Sequence, residues 1–162
     1  MITLEEHLQQ INEVQKTEFE ARVNDLIALK QVFGEQVGEI ISAARGQKVE
    51  AQWRNVAQEY GKNDIEALKA TLWKWVGDAG FEFTVSETAD GTQFRVTKCP
   101  LAEMARAINA AEWGYICYCT DDPHIVAGFN AAMGFRRTKT LMQGHDCCDH
   151  FYYMKGKTQD GE

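Results

Sequence analysis

Residues 81–98 read FEFTVSETADGTQFRVTK, and this stretch decides the fold class. Apolar side chains alternate with polar ones on both sides of Asp90-Gly91. A period of two residues is typical of a half-buried strand. Asp-Gly between two alternating runs is a strong signal for a tight turn. The stretch therefore predicts a β-hairpin.

The sequence before the hairpin predicts helices. Thr3 followed by Glu6 is typical of a capping box, in which each side chain accepts a hydrogen bond from the other residue's backbone N–H. Apolar residues then recur at helical spacing. A further helix is predicted over 49–60, and Asn63 is expected to cap the next one. The glycines that indicate break points in this region are Gly34, Gly38 and Gly46.

The sequence after the hairpin predicts short helices and a second pair of strands. Pro100 fits the first turn of a short helix. Residues 112–131 are expected to be helical in part. Strands over 135–142 and 148–154 are expected to pair across a turn at 144–146.

Helices first and hairpins later indicate an α+β fold: a helical N-terminal half packed on a small antiparallel sheet made of two β-hairpins. Residues 1–156 are expected to form a single domain, and the polar tail at 157–162 is expected to be frayed. The residues expected in the core because of their helical spacing include Trp53, Trp73, Trp75 and Trp113.

The composition narrows the class of protein. The 162 residues carry a formal net charge of −7, and an acidic surface repels phosphate backbones, so we predict no nucleic-acid partner. No apolar run approaches the roughly 20 residues of a membrane span, and no signal peptide is predicted. The cysteine count of five is odd, and Cys117/Cys119 and Cys147/Cys148 are too closely spaced for a secreted disulfide framework, which favours the cytoplasm. The expected partner is a small-molecule substrate. The helices at 4–44 either pair with a second copy, giving a homo-oligomer, or cover the sheet.

Two short stretches hold most of the reactive side chains: residues 117–124 read CYCTDDPH, and residues 144–151 read GHDCCDHF. Nucleophilic catalysis by a thiolate needs an imidazole or a dipole that lowers the thiol pKa, and a carboxylate that orients the imidazole. The residues that could supply this set are Cys119 or Cys148, His145, His124 or His150, and Asp121 or Asp146. The alternative is structural, because free cysteine often packs as a small hydrophobe.

The expected strand at 148–154 groups these side chains further. Alternation places Cys148 and His150 on one face and Asp149 on the other. Thiolates and imidazoles also bind zinc, but Cys-x-Cys and Cys-Cys differ from the usual spacing of a structural zinc site. We therefore predict no metal and no other cofactor, with zinc as the alternative.

Four short segments between residues 95 and 155 together form one pattern. They are Cys99-Pro100, Cys117 to Asp121, Phe135-Arg136 leading into Thr140-Leu141, and Gly144 to Asp149. This pattern resembles one family, the L-2-amino-thiazoline-4-carboxylic acid hydrolases. The family pattern places an aromatic residue directly after the final Cys-Asp, whereas here His150 intervenes and the aromatic follows at Phe151. The ending also resembles the 4-vinyl-reductase type of small-molecule-binding domain.

The resemblance to the hydrolases implies hydrolysis of a carbon–nitrogen bond in a cyclic amidine. It implies that Cys119 or Cys148 is the nucleophile and that His145 or His150 moves the proton. Asp121 and Asp146 would hold the amidine, since a carboxylate pairs well with its positive charge. The residues that the resemblance implies for substrate binding are Arg136, with Arg137 beside it, Asp149 and Gly144.

Three interpretations remain open at this point. A hydrolase requires one thiol with a lowered pKa. That thiol would be alkylated at a pH below the usual cysteine pKa of about 8.5. A non-catalytic binding or sensing domain would use the same pocket with inert cysteines. A thiol redox or metal protein is the third interpretation.

Overall fold

The structure is a computed structural model that describes residues 3–156, so the tail predicted at 157–162 lies outside the described residues. The α+β prediction is confirmed, with a helical N-terminal half and four strands in one antiparallel sheet. In chain order the elements are α1 (Leu4–Phe33), α2 (Gln36–Tyr60), α3 (Ile65–Leu68), a π-helical segment (Lys69–Trp73), α4 (Lys74–Asp78), β1 (Glu82–Thr88), β2 (Gly91–Lys98), α5 (Pro100–Ala107), α6 (Ala111–Tyr118), a 3₁₀ turn (Cys119–Asp121), α7 (Asp122–Phe129), β3 (Met133–Arg136), a second 3₁₀ turn (Leu141–Gln143) and β4 (Cys148–Met154).

The long helix α1 begins at the predicted capping box. Thr3 Oγ1 accepts a hydrogen bond from the backbone N–H of Glu6 at 3.2 Å, and Glu6 Oε2 accepts one from the backbone N–H of Thr3 at 2.8 Å. These bonds satisfy donors that the first turn of a helix leaves unpaired. The next predicted cap is displaced by one residue, because Asp64, not Asn63, accepts from the backbone N–H of Ala67 at 2.8 Å.

Helix α2 passes through two of the glycines that were expected to break it, and that prediction is wrong. A Cβ at Gly38 would lie 2.9 Å from Ile116 of α6. A Cβ at Gly46 would lie 2.3 Å from the imidazole of His124 in α7. Glycine at these positions therefore permits close packing of helices. At Gly34 the predicted break is confirmed, because α1 ends at Phe33. Its φ of +78° is one that glycine adopts without strain.

The sheet places β4, the strand that carries Cys148 and His150, in its interior. Its order is β1-β2-β4-β3, with every neighbouring pair antiparallel. Within the predicted first hairpin, Phe83 lies opposite Val96. Strand β2 then pairs with β4, so that Phe94 lies opposite His150 and Val96 opposite Cys148.

The strand predicted over 135–142 has the wrong bounds. The observed strand β3 ends at Arg136, and Leu141–Gln143 form a 3₁₀ turn. Thr140 Oγ1 starts this turn by accepting a hydrogen bond from a backbone N–H at 3.1 Å. A threonine side chain that caps a turn competes with strand pairing, and at Thr140 the turn forms instead of the strand.

Three of the four tryptophans are buried as predicted, whereas the prediction for Trp75 is wrong. Trp73 is 4% exposed, and its ring stacks on that of Phe94 with 3.9 Å between centroids. Trp75 is 64% exposed. Side chains two residues apart on a helix point in nearly opposite directions, so both cannot face the sheet. Within residues 3–156, no helix is both long and apolar enough to cross a membrane.

Candidate functional site

A cavity of about 270 Å³ lies against one face of the sheet. Most of its wall is apolar, as is usual for a small-molecule site, and a few polar groups converge on it. The thiol-bearing, acidic and basic side chains that line it are Cys99, Cys119, Cys148, Asp121, Asp122, Arg137 and His150.

Strand β4 supplies two of these groups from one face. Cys148 and His150 alternate with Asp149 along the strand, and both are buried, at 7% and 8% exposure. The sulfur of Cys148 also accepts a hydrogen bond from the backbone N–H of Leu141 at 3.2 Å. The predicted grouping of Cys148 with His150 is therefore present in the structure, with both side chains lining the cavity.

A charged network joins three elements at the cavity. Asp122 begins α7, and its Oδ2 accepts a hydrogen bond from the Arg137 guanidinium. The same oxygen lies 3.3 Å from His150 Nε2. Arg137 also donates to the backbone carbonyl of Cys119 at 3.0 Å, and its side chain is only 8% exposed. The network thus fixes the position of the imidazole.

The tautomer of His150 follows from this contact. A carboxylate oxygen only accepts hydrogen bonds, so we assign the hydrogen to Nε2. In the neutral ring the lone pair is then on Nδ1. Among the described residues, this buried Nδ1 has no hydrogen-bond partner. The imidazole is consequently oriented through one nitrogen and free to take a proton at the other.

Asp121, beside this network, also has an unused acceptor. Its Oδ2 accepts a hydrogen bond from Arg45 of α2 at 2.6 Å. Its Oδ1 is buried and has no hydrogen-bond partner within the described part of the chain. Burial raises the pKa of the Asp121 carboxyl, while the hydrogen bond and the charge of Arg45 oppose that rise. A ligand N–H group would satisfy the free oxygen.

Burial dominates the pKa values of the cavity thiols. Burial raises the pKa of the Cys99 thiol to about 11. It raises that of Cys119 further, with help from the negative charge of Asp122. The pKa of Cys148 is also raised by burial, although the Leu141 N–H and Arg137 oppose the shift. None of these three thiols therefore has, in the resting protein, the lowered pKa that distinguishes the hydrolase interpretation.

Three further candidate residues lie outside the cavity wall, at the turn before β4. His145 is exposed, and its Nδ1 lies 3.1 Å from the Thr140 carbonyl oxygen. Asp146 pairs with Arg95 at 2.8 Å and with Lys139 at 3.4 Å, and these hydrogen bonds lower its pKa. Gly144 ends the 3₁₀ turn with a φ of +93°. These three residues therefore belong to the surface turn that leads into β4 and not to the cavity.

Two more candidates face away from the cavity. Asp149 accepts hydrogen bonds from the backbone N–H groups of Thr138 and Lys139, at 2.8 Å and 2.6 Å. It thereby ties the segment after β3 to β4. The Arg136 guanidinium lies over the ring of Phe151, 4.8 Å from its centroid. Its neighbour in sequence, Arg137, is the arginine that lines the cavity.

Sequence reasoning missed Asp122 and gave Cys99 and Arg137 little weight. Asp122 and Arg137 are 15 residues apart, and Asp122 and His150 are 28 apart. Residues this far apart in the sequence show no local spacing pattern from which their contact could be predicted. The one available signal was that Asp122 directly follows the candidate Asp121. In residues 3–156, no group of three or more His, Cys, Asp and Glu side chains is arranged to hold a metal ion.

Comparison with known proteins identifies a family for this chain. A model of the family described as L-2-amino-thiazoline-4-carboxylic acid hydrolase matches residues 14–152. The match begins within α1 and ends within β4, so it includes the N-terminal helices as well as the segments between residues 95 and 155. Neither the curated proteins nor the solved structures gave a match.

Proposed function

Because this chain belongs to the L-2-amino-thiazoline-4-carboxylic acid hydrolase family, we propose that it hydrolyses the ring carbon–nitrogen bond of a cyclic amidine. The cavity beside β4 is the proposed site. The observation that carries the proposal is the buried His150, which Asp122 orients at 3.3 Å and which shares a strand face and a cavity with Cys148.

Cys148 is the proposed nucleophile. Its sulfur accepts the Leu141 N–H, and Arg137 favours its ionised form, so it is the cavity thiol with identified support for a negative charge from both a backbone donor and a cation. His150 Nδ1 takes the thiol proton as the sulfur attacks the ring carbon between sulfur and nitrogen. Because the pKa of Cys148 is raised in the resting protein, its thiolate forms as the sulfur attacks and is not present beforehand.

Ring opening and release complete the cycle. The protonated imidazole returns its proton to the ring nitrogen, and the carbon–nitrogen bond breaks to leave a free amine. Water then adds to the carbon of the covalent adduct, and the Cys148 thiolate departs and regains a proton. The sum is the addition of one water, which leaves a carbamoyl group on the sulfur of the substrate.

Two further side chains are proposed to hold the substrate. The free Oδ1 of Asp121 accepts an amidine N–H, because a carboxylate pairs strongly with a charged amidine. Arg137 has five donors, and its contacts with Asp122 and with the Cys119 carbonyl leave others for a substrate carboxylate. Arg137 thus replaces Arg136 as the proposed carboxylate partner.

Mass spectrometry of 2-amino-thiazoline-4-carboxylate incubated with the protein tests the proposal. We expect a product one water heavier, and a loss of about 10³-fold or more in kcat for Cys148→Ser. Cys147→Ser is a matched control, since Cys147 is the adjacent residue, is 4% exposed and does not line the cavity. Full activity in Cys148→Ser would dismiss it as nucleophile, and Cys119→Ser would then be decisive.

The same product identifies the bond that breaks. Opening at the carbon–nitrogen bond releases an amine, whereas opening at the carbon–sulfur bond releases a thiol. A thiol-positive, amine-negative product would reject the carbon–nitrogen assignment. The raised pKa of the cavity thiols favours one second candidate function, a non-catalytic binding or sensing domain. That function predicts binding of the amidine with no product.

A further inference from the structure

The cavity has two ends of different chemistry. The polar end consists of Asp122, Arg137 and His150, which are joined through Asp122 Oδ2. The apolar end consists of Trp75, Val76, Phe81 and Leu101. The catalytic chemistry proposed above uses the polar end and leaves the apolar end without a role.

The sheet order separates the two ends. Arg137 directly follows β3 at one edge of the sheet, and Phe81 directly precedes β1 at the other. Neighbouring strands lie about 4.8 Å apart, so three strand spacings give a separation of about 14 Å. Cys148 and Val96, which line the cavity from β4 and β2, lie between these edges. A ligand that reaches Cys148 therefore has the apolar part of the cavity on its β1 side, over Val96. Trp73, stacked on Phe94, packs beside His150 itself with 5.3 Å between ring centroids.

The volume of the cavity and the exposure of one of its side chains bear on which ligand fits it. Its volume of about 270 Å³ lies just below the range for sites that hold drug-sized ligands, which begins at about 300 Å³. Aminothiazoline carboxylate is a five-membered ring with two small polar substituents and has no group to contact the apolar end. Trp75 is 64% exposed and lines the cavity, so a large apolar side chain stands at its mouth.

We propose, building on the proposed function, that the substrate of this protein is a cyclic amidine with an apolar substituent, aromatic or branched alkyl, on the side of the ring opposite the amidine carbon. The ring and its charged groups occupy the polar end. The substituent extends towards β1 and packs against Trp75, Val76, Phe81 and Leu101. Binding energy from such a remote group can also be used to position the reacting carbon.

Two probes and a binding measurement test this inference. The probes are 2-amino-thiazoline-4-carboxylate and the same compound with a benzyl group on ring carbon 5. Titration calorimetry gives a dissociation constant for each, independently of turnover, and mass spectrometry follows product. We expect the benzyl compound to bind at least about 10-fold tighter, since even one methylene in an apolar pocket is worth about 10-fold or more.

Two variants locate the effect. In Trp75→Ala we expect the affinity ratio between the benzyl and plain compounds to fall by about fivefold or more, because the benzyl group loses its main contact. The fold should tolerate this change, because Trp75 is 64% exposed. Tyr60→Ala is the matched control. Tyr60 is a 47% exposed aromatic at the end of α2 and does not line the cavity, so the ratio should not change.

The outcomes separate this inference from the proposed hydrolysis. Equal affinity for the two compounds would overturn the inference and leave hydrolysis of the plain ring standing. Tighter binding of the benzyl compound without any product would overturn the hydrolysis and support the inferred ligand class. A tighter benzyl complex whose advantage persists in Trp75→Ala would place the substituent elsewhere and overturn the assignment of the apolar end.

Discussion

The reactivity of Cys99 tests whether the cavity thiols rest in the neutral form. Burial raises the pKa of this thiol from an ordinary value near 9 to about 11. The perturbation is pH, because alkylation requires the thiolate. At pH 8 about one thiol in ten is ionised with a pKa of 9, and about one in a thousand with a pKa of 11. We therefore expect Cys99 to alkylate about 100-fold more slowly in the folded protein than in the unfolded chain.

The same shift predicts how stability depends on pH. Between pH 9 and pH 11 the folded state retains a proton that the unfolded state has lost, so the free energy of unfolding falls as the pH rises. The contribution is fully present below about pH 9 and is lost through about pH 11. Two pKa units correspond to up to about 3 kcal/mol, less where water reaches the sulfur. Cys99→Ala should remove this part of the alkaline loss.

The assay is iodoacetamide labelling from pH 7 to pH 11, with each cysteine quantified by peptide mass spectrometry. The same protein in denaturant supplies the unfolded reference, so that neighbouring sequence is identical in both arms. Urea titrations of the wild type and Cys99→Ala at each pH give the free energy of unfolding. Half-maximal labelling of Cys99 below pH 9 in the folded protein would refute the reasoning, as would parallel stability curves for the two proteins.

Two further perturbations test the packing and charges around the site. Asp122→Asn leaves the buried Arg137 without its carboxylate partner and should cost about 3 kcal/mol of unfolding free energy by urea titration. Adding Arg137→Met should recover most of that loss, and strictly additive costs would show that the pair is not coupled. Gly128→Ala would place a Cβ 2.2 Å from the backbone oxygen of Glu50, so we expect a loss of about 1–3 kcal/mol in thermal or urea unfolding. Gly77→Ala, whose nearest contact would be an ordinary 3.7 Å, is the control, and equal destabilisation of both would contradict the clash.

Much of the local structure could be predicted because its causes are local. The hairpin of β1 and β2 follows from strand alternation, and the start of α1 follows from a side-chain cap. The predicted turn at Asp90-Gly91 is displaced by one residue, because Gly91 already pairs with Thr88 and the turn lies at Ala89-Asp90. The strand β4 was predicted with its observed bounds, Cys148–Met154. Because alternation assigns faces, the pairing of Cys148 with His150 followed as well.

Other local patterns were misleading for reasons that lie outside their own segment. Gly38 and Gly46 are typical of helix breaks when only the chain is considered, but their lack of a side chain lets α6 and α7 approach α2. Trp75 fits a helical apolar stripe, yet the sheet contacts the other side of that helix, where Trp73 lies. In both cases the neighbouring element decides the role of the residue.

The sequence by itself determined the α+β class, the two hairpin-forming regions and the face shared by Cys148 and His150, since period, caps and turns act within a few residues. The tertiary structure alone decided that Asp122 and Arg137 join His150 while Asp146 pairs at the surface. Packing of α7 brings together side chains 28 residues apart, and no local pattern encodes that distance. The thiol pKa values also depend on burial, which exists only after the sheet and helices close over the cavity.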